Sequence, residues 1–73
     1  MDYGEFTRRF REDREIGRDV TDTHLLVFRD NGSEVGLWRQ DRATTQGTGE
    51  VLSPRDADMA RHWCRRDTQG RGR

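Results

Sequence analysis

His62 and Cys64, two residues apart, are the nearest approach to a metal-ligand pair in this 73-residue chain. On a helix, positions i and i+2 point in different directions. His24 is the one other soft ligand, too few for a structural zinc site. Cys64 falls on an apolar arc and reads as a small core residue. Gly47-Thr48-Gly49 is too short for a phosphate loop, and with no lysine in the chain the Gly-Lys-Ser/Thr ending is absent. A nucleophile needs a base and an orienting group, whereas Ser33 sits in a predicted turn and Ser53 in a predicted helix cap. Every carboxylate has an arginine nearby and a helix-surface explanation. These residues predict no catalytic residue, no metal and no cofactor, and the chain reads as a binding protein rather than an enzyme.

Composition sets the scale of what can be built. Hydrophobic residues are 29% of the chain and charged residues 38%. That predicts one small domain over 1–66, a modest core and a disordered basic tail over 67–73. A deep substrate pocket is not expected. The formal net charge is zero, yet residues 1–22 hold five Arg against seven Asp and Glu, and 54–73 hold six Arg against three Asp. This dipolar pattern suits a protein that touches two surfaces. It does not suit a polybasic clamp on DNA. All basic side chains are Arg, which suits interfaces through its planar donor fork; a GC-rich genome explains the same bias. The single cysteine excludes an intramolecular disulfide and fits a reducing cytoplasm. No apolar run reaches membrane-spanning length, and Met1-Asp2-Tyr3-Gly4-Glu5 does not read as a signal peptide.

The elements follow from pattern. Asp2-Tyr3-Gly4-Glu5 has capping-box spacing. Tyr3, Phe6 and Phe10 then recur at helical spacing beside Glu5–Arg9, Arg8–Glu12 and Arg9–Asp13 pairs. The spacing predicts a helix over 3–16, ended by Gly17. Leu25-Leu26-Val27-Phe28 and Val35-Gly36-Leu37-Trp38 flank Asn31-Gly32, a strong hairpin signal. Strands are expected over 23–30 and 34–40 around a two-residue type I′ turn. Residues 41–49 read as a polar loop, and 50–52 allow a short third strand. Ser53-Pro54-Arg55-Asp56 starts a helix expected over 54–66. The fold class is α+β, a small antiparallel sheet with an N-terminal and a C-terminal helix, packed most economically with the helices on one face.

The turn also assigns faces. With Phe28 opposite Val35 and Leu26 opposite Leu37, one face carries the better core, to be covered by Ala57, Ala60, Trp63 and Cys64. The other carries Leu25, Val27 and Trp38, with a gap at Gly36. If helices cover one side only, Leu25, Val27 and Trp38 form an apolar patch rimmed by Arg39, the expected partner-binding surface. If the N-terminal helix covers that side with Tyr3, Phe6 and Phe10, the same residues are core. Arg61, Arg65 and Arg66 on the last helix are a candidate second contact.

Over its full length the chain resembles the small transcription regulators made by lytic phages of Xanthomonas that bind the host RNA polymerase. The likeness lies in the length, the Arg-only basic set, the opening MDYGEFTRRFRED and the hairpin LLVFRDNGSEVGLWR. The resemblance implies contacts to the N-terminal segment of the polymerase β′ subunit and to the β flap near the RNA exit channel. It implies displacement of the σ factor, inhibition of host initiation, and read-through of intrinsic terminators. The protein would then work as a monomer in the host cytoplasm, with no small-molecule substrate and no membrane. The alternative is a small nucleic-acid-binding domain, since the order helix, strands, helix is similar to the double-stranded-RNA-binding fold. Against it, the start of the last helix, Ser53-Pro54-Arg55-Asp56-Ala57-Asp58, lacks the Lys cluster that grips phosphates. Direct nucleic-acid contact within a larger complex is compatible with the late arginines.

Overall fold

The computed structural model describes the backbone of residues 1–71 and the side chains of residues 1–64. The chain runs α1 (Tyr3–Arg9), a short 3-10 turn (Glu12–Arg14), β1 (Glu15–Val20), β2 (His24–Asp30), β3 (Val35–Asp41), β4 (Gly47–Val51) and α2 (Pro54–Arg71). The strands form one antiparallel meander in the order β1-β2-β3-β4. The α+β class is as expected. The expected packing on one face is not: α1 lies on one side of the sheet, chiefly over β3 and β4, and α2 on the other.

The first helix is capped as the sequence predicts, with the Asp2 carboxylate accepting from the Glu5 amide at 2.8 Å. It ends seven residues earlier than expected. Phe10 is its C-cap, and residues 15–20, read in part as helix, pair with β2 instead. The predicted i,i+4 ion pairs are each worth only ~0.2–0.5 kcal/mol. Pairing with β2 along one side of this edge strand outweighs them. Arg9 leaves Glu5 and donates to both oxygens of Glu34 at 2.9 Å, tying α1 to the hairpin.

The hairpin forms, but its tip sits one residue later than expected. Asn31 N donates to Glu34 O at 3.0 Å, leaving Gly32 and Ser33 at the tip. The Asn31 side-chain oxygen accepts from the amides of Ser33 and Glu34 at 3.0 and 2.7 Å. Asn31 therefore keeps an ordinary φ, and only Gly32 takes a positive one, +96°. A type I′ turn needs positive φ at two residues. The register moves by two, so Phe28 faces Leu37 and Val27 faces Trp38. Side-chain parity has period two, so every residue stays on its expected face.

The segment read as a polar loop supplies most of β4. Its glycines are slots for aromatic rings. A Cβ on Gly49 would stand 2.7 Å from the Phe6 ring, and one on Gly47 2.5 Å from the Trp38 ring. At the outer edge of β4, Gly49 N donates to Met1 O, and Met1 N to Gly49 O, each at 2.8 Å. This covers part of an edge that would otherwise be open.

Each face has its own small core. Phe6, Phe10, Val27 and Trp38 form one under α1. Val35, Ala57 and Ala60, with Ile16, Phe28 and Leu52, form the other under α2. Ser53 caps α2 by accepting from Asp56 N at 3.2 Å. Cys64 is buried against Gly17, where an added Cβ would stand 2.5 Å from its sulfur. The helix continues past the expected end at 66 to Arg71. No proline interrupts it, and Arg and Gln are good helix formers. Residues 72–73, and the side chains of the rest of the expected tail over 67–73, lie outside the described residues.

A clamp joins α2 to the tip end of β2. Arg61 Nε donates to Asp30 Oδ2 at 2.8 Å, and its terminal nitrogens reach Asp30 Oδ1 at 3.3 Å and Asp58 at 3.2 Å. Hydrogen bonding to Arg61, with help from the Gly32 amide, holds the Asp30 carboxyl below its ordinary value against the opposing effect of burial.

Two outcomes test this packing. A Cβ on Gly36 would stand 2.5 Å from the Phe10 ring. Gly36→Ala is expected to cost ~1–3 kcal/mol by overpacking and to lower the melting temperature by roughly 5–15 °C. A thermal scan that leaves Gly36→Ala at the parent value would show that α1 is not seated there. The clamp gives a pH signature. The folded pKa of Asp30 is depressed, so its contribution is present above about pH 4, the unfolded carboxylate value. It is lost as pH falls through the lower folded value. Urea denaturation should find Asp30→Asn less stable than the parent at pH 7, with the gap shrinking as pH falls towards 2.

Candidate functional site

The residues weighed for chemistry do not converge. His24 Nδ1 is 2.8 Å from the neighbouring Thr23 hydroxyl, Ser33 is at the hairpin tip, Ser53 is a cap and Cys64 is buried under α2. Among the described residues, no three His, Cys, Asp or Glu group as a metal site requires.

The α1-side face of the sheet does form a site. Because α1 packs over β3 and β4, part of the face towards β1 stays uncovered as a groove of about 340 Å³. Leu25 and Val27 of β2 and Trp38 of β3 line it together with Arg29 and Gln40. Arg18 on β1, Tyr3 on α1 and Thr45 in the β3–β4 turn complete the lining. Three of the four expected contact residues, Leu25, Val27 and Trp38, are thus brought together. Of the two arrangements the sequence allows, the structure adopts the one in which the N-terminal helix covers this side. Val27 and Trp38 are 5% and 6% exposed, because α1 covers this side with Phe6 and Phe10. Tyr3 stands edge-on to the Trp38 ring at 5.1 Å. The indole N–H donates to Gln40 at 3.2 Å. Arg39 is not part of the groove. It falls on the opposite face by parity, exposed, with its guanidinium 3.3 Å from Glu50.

Arg29 is the residue that sequence reading missed. It is 5% exposed, the one buried charged side chain among the described residues. Its terminal nitrogens donate to Phe10 O at 3.0 Å and to the Tyr3 hydroxyl at 3.3 Å. Its guanidinium lies over the Phe6 ring at 5.2 Å and the Tyr3 ring at 5.8 Å, a cation–π arrangement. Among the described residues no carboxylate pairs with it, and its Nε is buried without a hydrogen-bond partner. The Tyr3 hydroxyl passes the interaction on to Glu12 at 3.2 Å. Glu15 is the cross-strand neighbour of Arg29, yet its carboxylate receives Arg18 at 2.8 and 3.2 Å. That pairing raises the already high pKa of Arg18. Strand parity was the available signal, since Arg29 alternates onto the same face as Val27 and Leu25.

The expected second contact divides. Arg61 is held in the Asp30 clamp, whereas the side chains of Arg65 and Arg66 lie outside those described. Trp63, expected to help cover the sheet, is instead 46% exposed on α2, and Met59 one turn before it is 61% exposed. Trp63 keeps one contact with Phe28, at 6.1 Å between ring centres.

The two tryptophans are therefore expected to differ in solution. With Trp63→Phe, the remaining Trp38 should emit at short wavelength and resist acrylamide quenching. With Trp38→Phe, Trp63 should emit at longer wavelength and quench readily. Equal quenching of the two variants would contradict the burial of Trp38. Trp38→Ala should cost ~3–5 kcal/mol as a core truncation, so it reads out stability rather than binding.

No helix among the described residues is long and apolar enough to cross a membrane. No family model matches this chain, and no curated protein or solved structure proves similar to it.

Proposed function

We propose that this chain is a non-enzymatic protein-binding regulator that attaches to bacterial RNA polymerase in the host cytoplasm. It would inhibit initiation by displacing σ and allow read-through of terminators, as the phage regulators it resembles do. The polymerase assignment is supported by that resemblance in length, opening segment and hairpin. The binding role is supported by one observation, the groove beside α1. Its lining joins Tyr3, Trp38 and two arginines, residue types enriched at protein interfaces, with aliphatic Leu25 and Val27. Two remote surfaces, the groove and the exposed Met59–Trp63 pair on the opposite side of the sheet, suit a regulator that bridges two polymerase segments. The nucleic-acid alternative has less behind it. Half of the arginines among the described side chains are engaged with acidic partners, in Arg9–Glu34, Arg11–Asp13, Arg18–Glu15, Arg39–Glu50 and Arg61–Asp30.

Purified bacterial RNA polymerase, passed over the protein immobilised through its C-terminal end, is expected to be retained. Tyr3→Ala and Leu25→Ser should weaken retention at least several-fold while leaving the circular dichroism spectrum unchanged. Failure to retain the polymerase would sink this reading. A retained nucleic acid would instead reveal itself by affinity falling roughly 0.9 log units per log salt for each phosphate neutralised.

A further inference from the structure

We propose that the groove beside α1 receives an extended acidic segment of the partner protein, one carboxylate of which pairs with Arg29. The inference deepens the reading of the chain as a protein-binding module and rests on it. Three observations carry it.

Arg29 is a cation only 5% exposed, and among the described residues no carboxylate hydrogen-bonds or ion-pairs with it. An unpaired buried charge is expensive, and a guanidinium's preferred partner is a carboxylate met by two parallel N–H donors. Arg29 gives one donor to a carbonyl and one to a phenol, and its Nε has no partner.

The two acids linked to Arg29, one by strand pairing and one through Tyr3, are engaged elsewhere. Glu15, its cross-strand neighbour, holds Arg18, and Glu12 accepts from Tyr3. The groove lining itself contains two arginines and no acid. After the Arg18–Glu15 pair is formed, one cation remains without an anion, which matches one carboxylate.

The rest of the lining selects a peptide over a nucleic acid. Leu25 and Val27 offer aliphatic surface to the residues flanking an acid. A single strand of nucleic acid wants a track of cations and open aromatic faces. Here one cation is uncommitted, and Trp38 is 6% exposed with Tyr3 against its ring.

The test uses two capped peptides, acetyl-Leu-Asp-Leu-Asp-Leu-amide and its Asn counterpart, titrated into the full-length isotope-labelled protein and followed by NMR. The Asp peptide is expected to shift the Arg29 Nε–H, Tyr3, Leu25 and Gln40 resonances and to bind roughly tenfold more tightly than the Asn peptide. Two variants of exposed residues keep the test independent of any folding defect at Arg29. Glu15→Gln releases Arg18 and should tighten the Asp peptide. Arg18→Gln releases Glu15 beside Arg29 and should weaken it. Equal affinity for both peptides, shifts confined to other surfaces, or an oligouridylate that displaces the Asp peptide from these residues would each overturn the proposal. If polymerase is retained and the Asp peptide leaves the groove unmoved, this inference fails and the polymerase reading stands. If the Asp peptide binds as expected and polymerase is not retained, the reverse holds.

Discussion

Two phenylalanines hold one side of this molecule together. Phe6 and Phe10 are fully buried, and both come from a helix of seven residues and its cap. A helix that short has no stability of its own in water. It persists because its rings lie directly on the sheet, over positions where Gly36 and Gly49 supply no side chain. The rest of that side follows from the fit. Seating α1 brings Tyr3 against Trp38, turns the Phe10 carbonyl onto Arg29 and stops short of β1, so that a groove is left. The site is what remains of a sheet face when the covering helix is too small for it.

Scarcity of apolar residues also explains why charge is used internally. The uneven charge along the chain becomes ties between elements, α1 to the hairpin, β3 to β4, and α2 to β2, and one within β1. Those with both partners exposed contribute ~0–1 kcal/mol each. Arg29 differs in kind. Its flat guanidinium fits between two aromatic faces while donating to a carbonyl at its rim, which a lysine ammonium cannot imitate.

The parts legible in the sequence were those governed by local periodicity. Period-two alternation put Leu25, Val27 and Trp38 on one face, and the Ser53-Pro54 start of α2 was readable from capping alone. The parts that were not legible depend on partners far along the chain. The charged pairs of residues 8–15 describe a good helix surface, but β2 offers residues 15–20 a ladder that local propensity cannot anticipate. Gly47 and Gly49 read as loop punctuation because a glycine slot has meaning only once the ring above it is known. Arg29 was passed over because arginine is presumed to face water, although its parity said otherwise.

The hairpin tip has a consequence for how the chain folds. The tip centred on Asn31-Gly32 and the one adopted at Gly32-Ser33 differ by two residues in pairing, so both bury the same sides of both strands. Hydrophobic collapse therefore cannot tell them apart. The choice falls to shape: only in the adopted pairing does Gly36 stand beside Arg29 rather than Val27, with an open notch for Phe10 and a cation for its carbonyl. A chain closed on the Asn31-Gly32 tip would be a well-buried misalignment, and one strand would have to slide by two places before the first helix could dock.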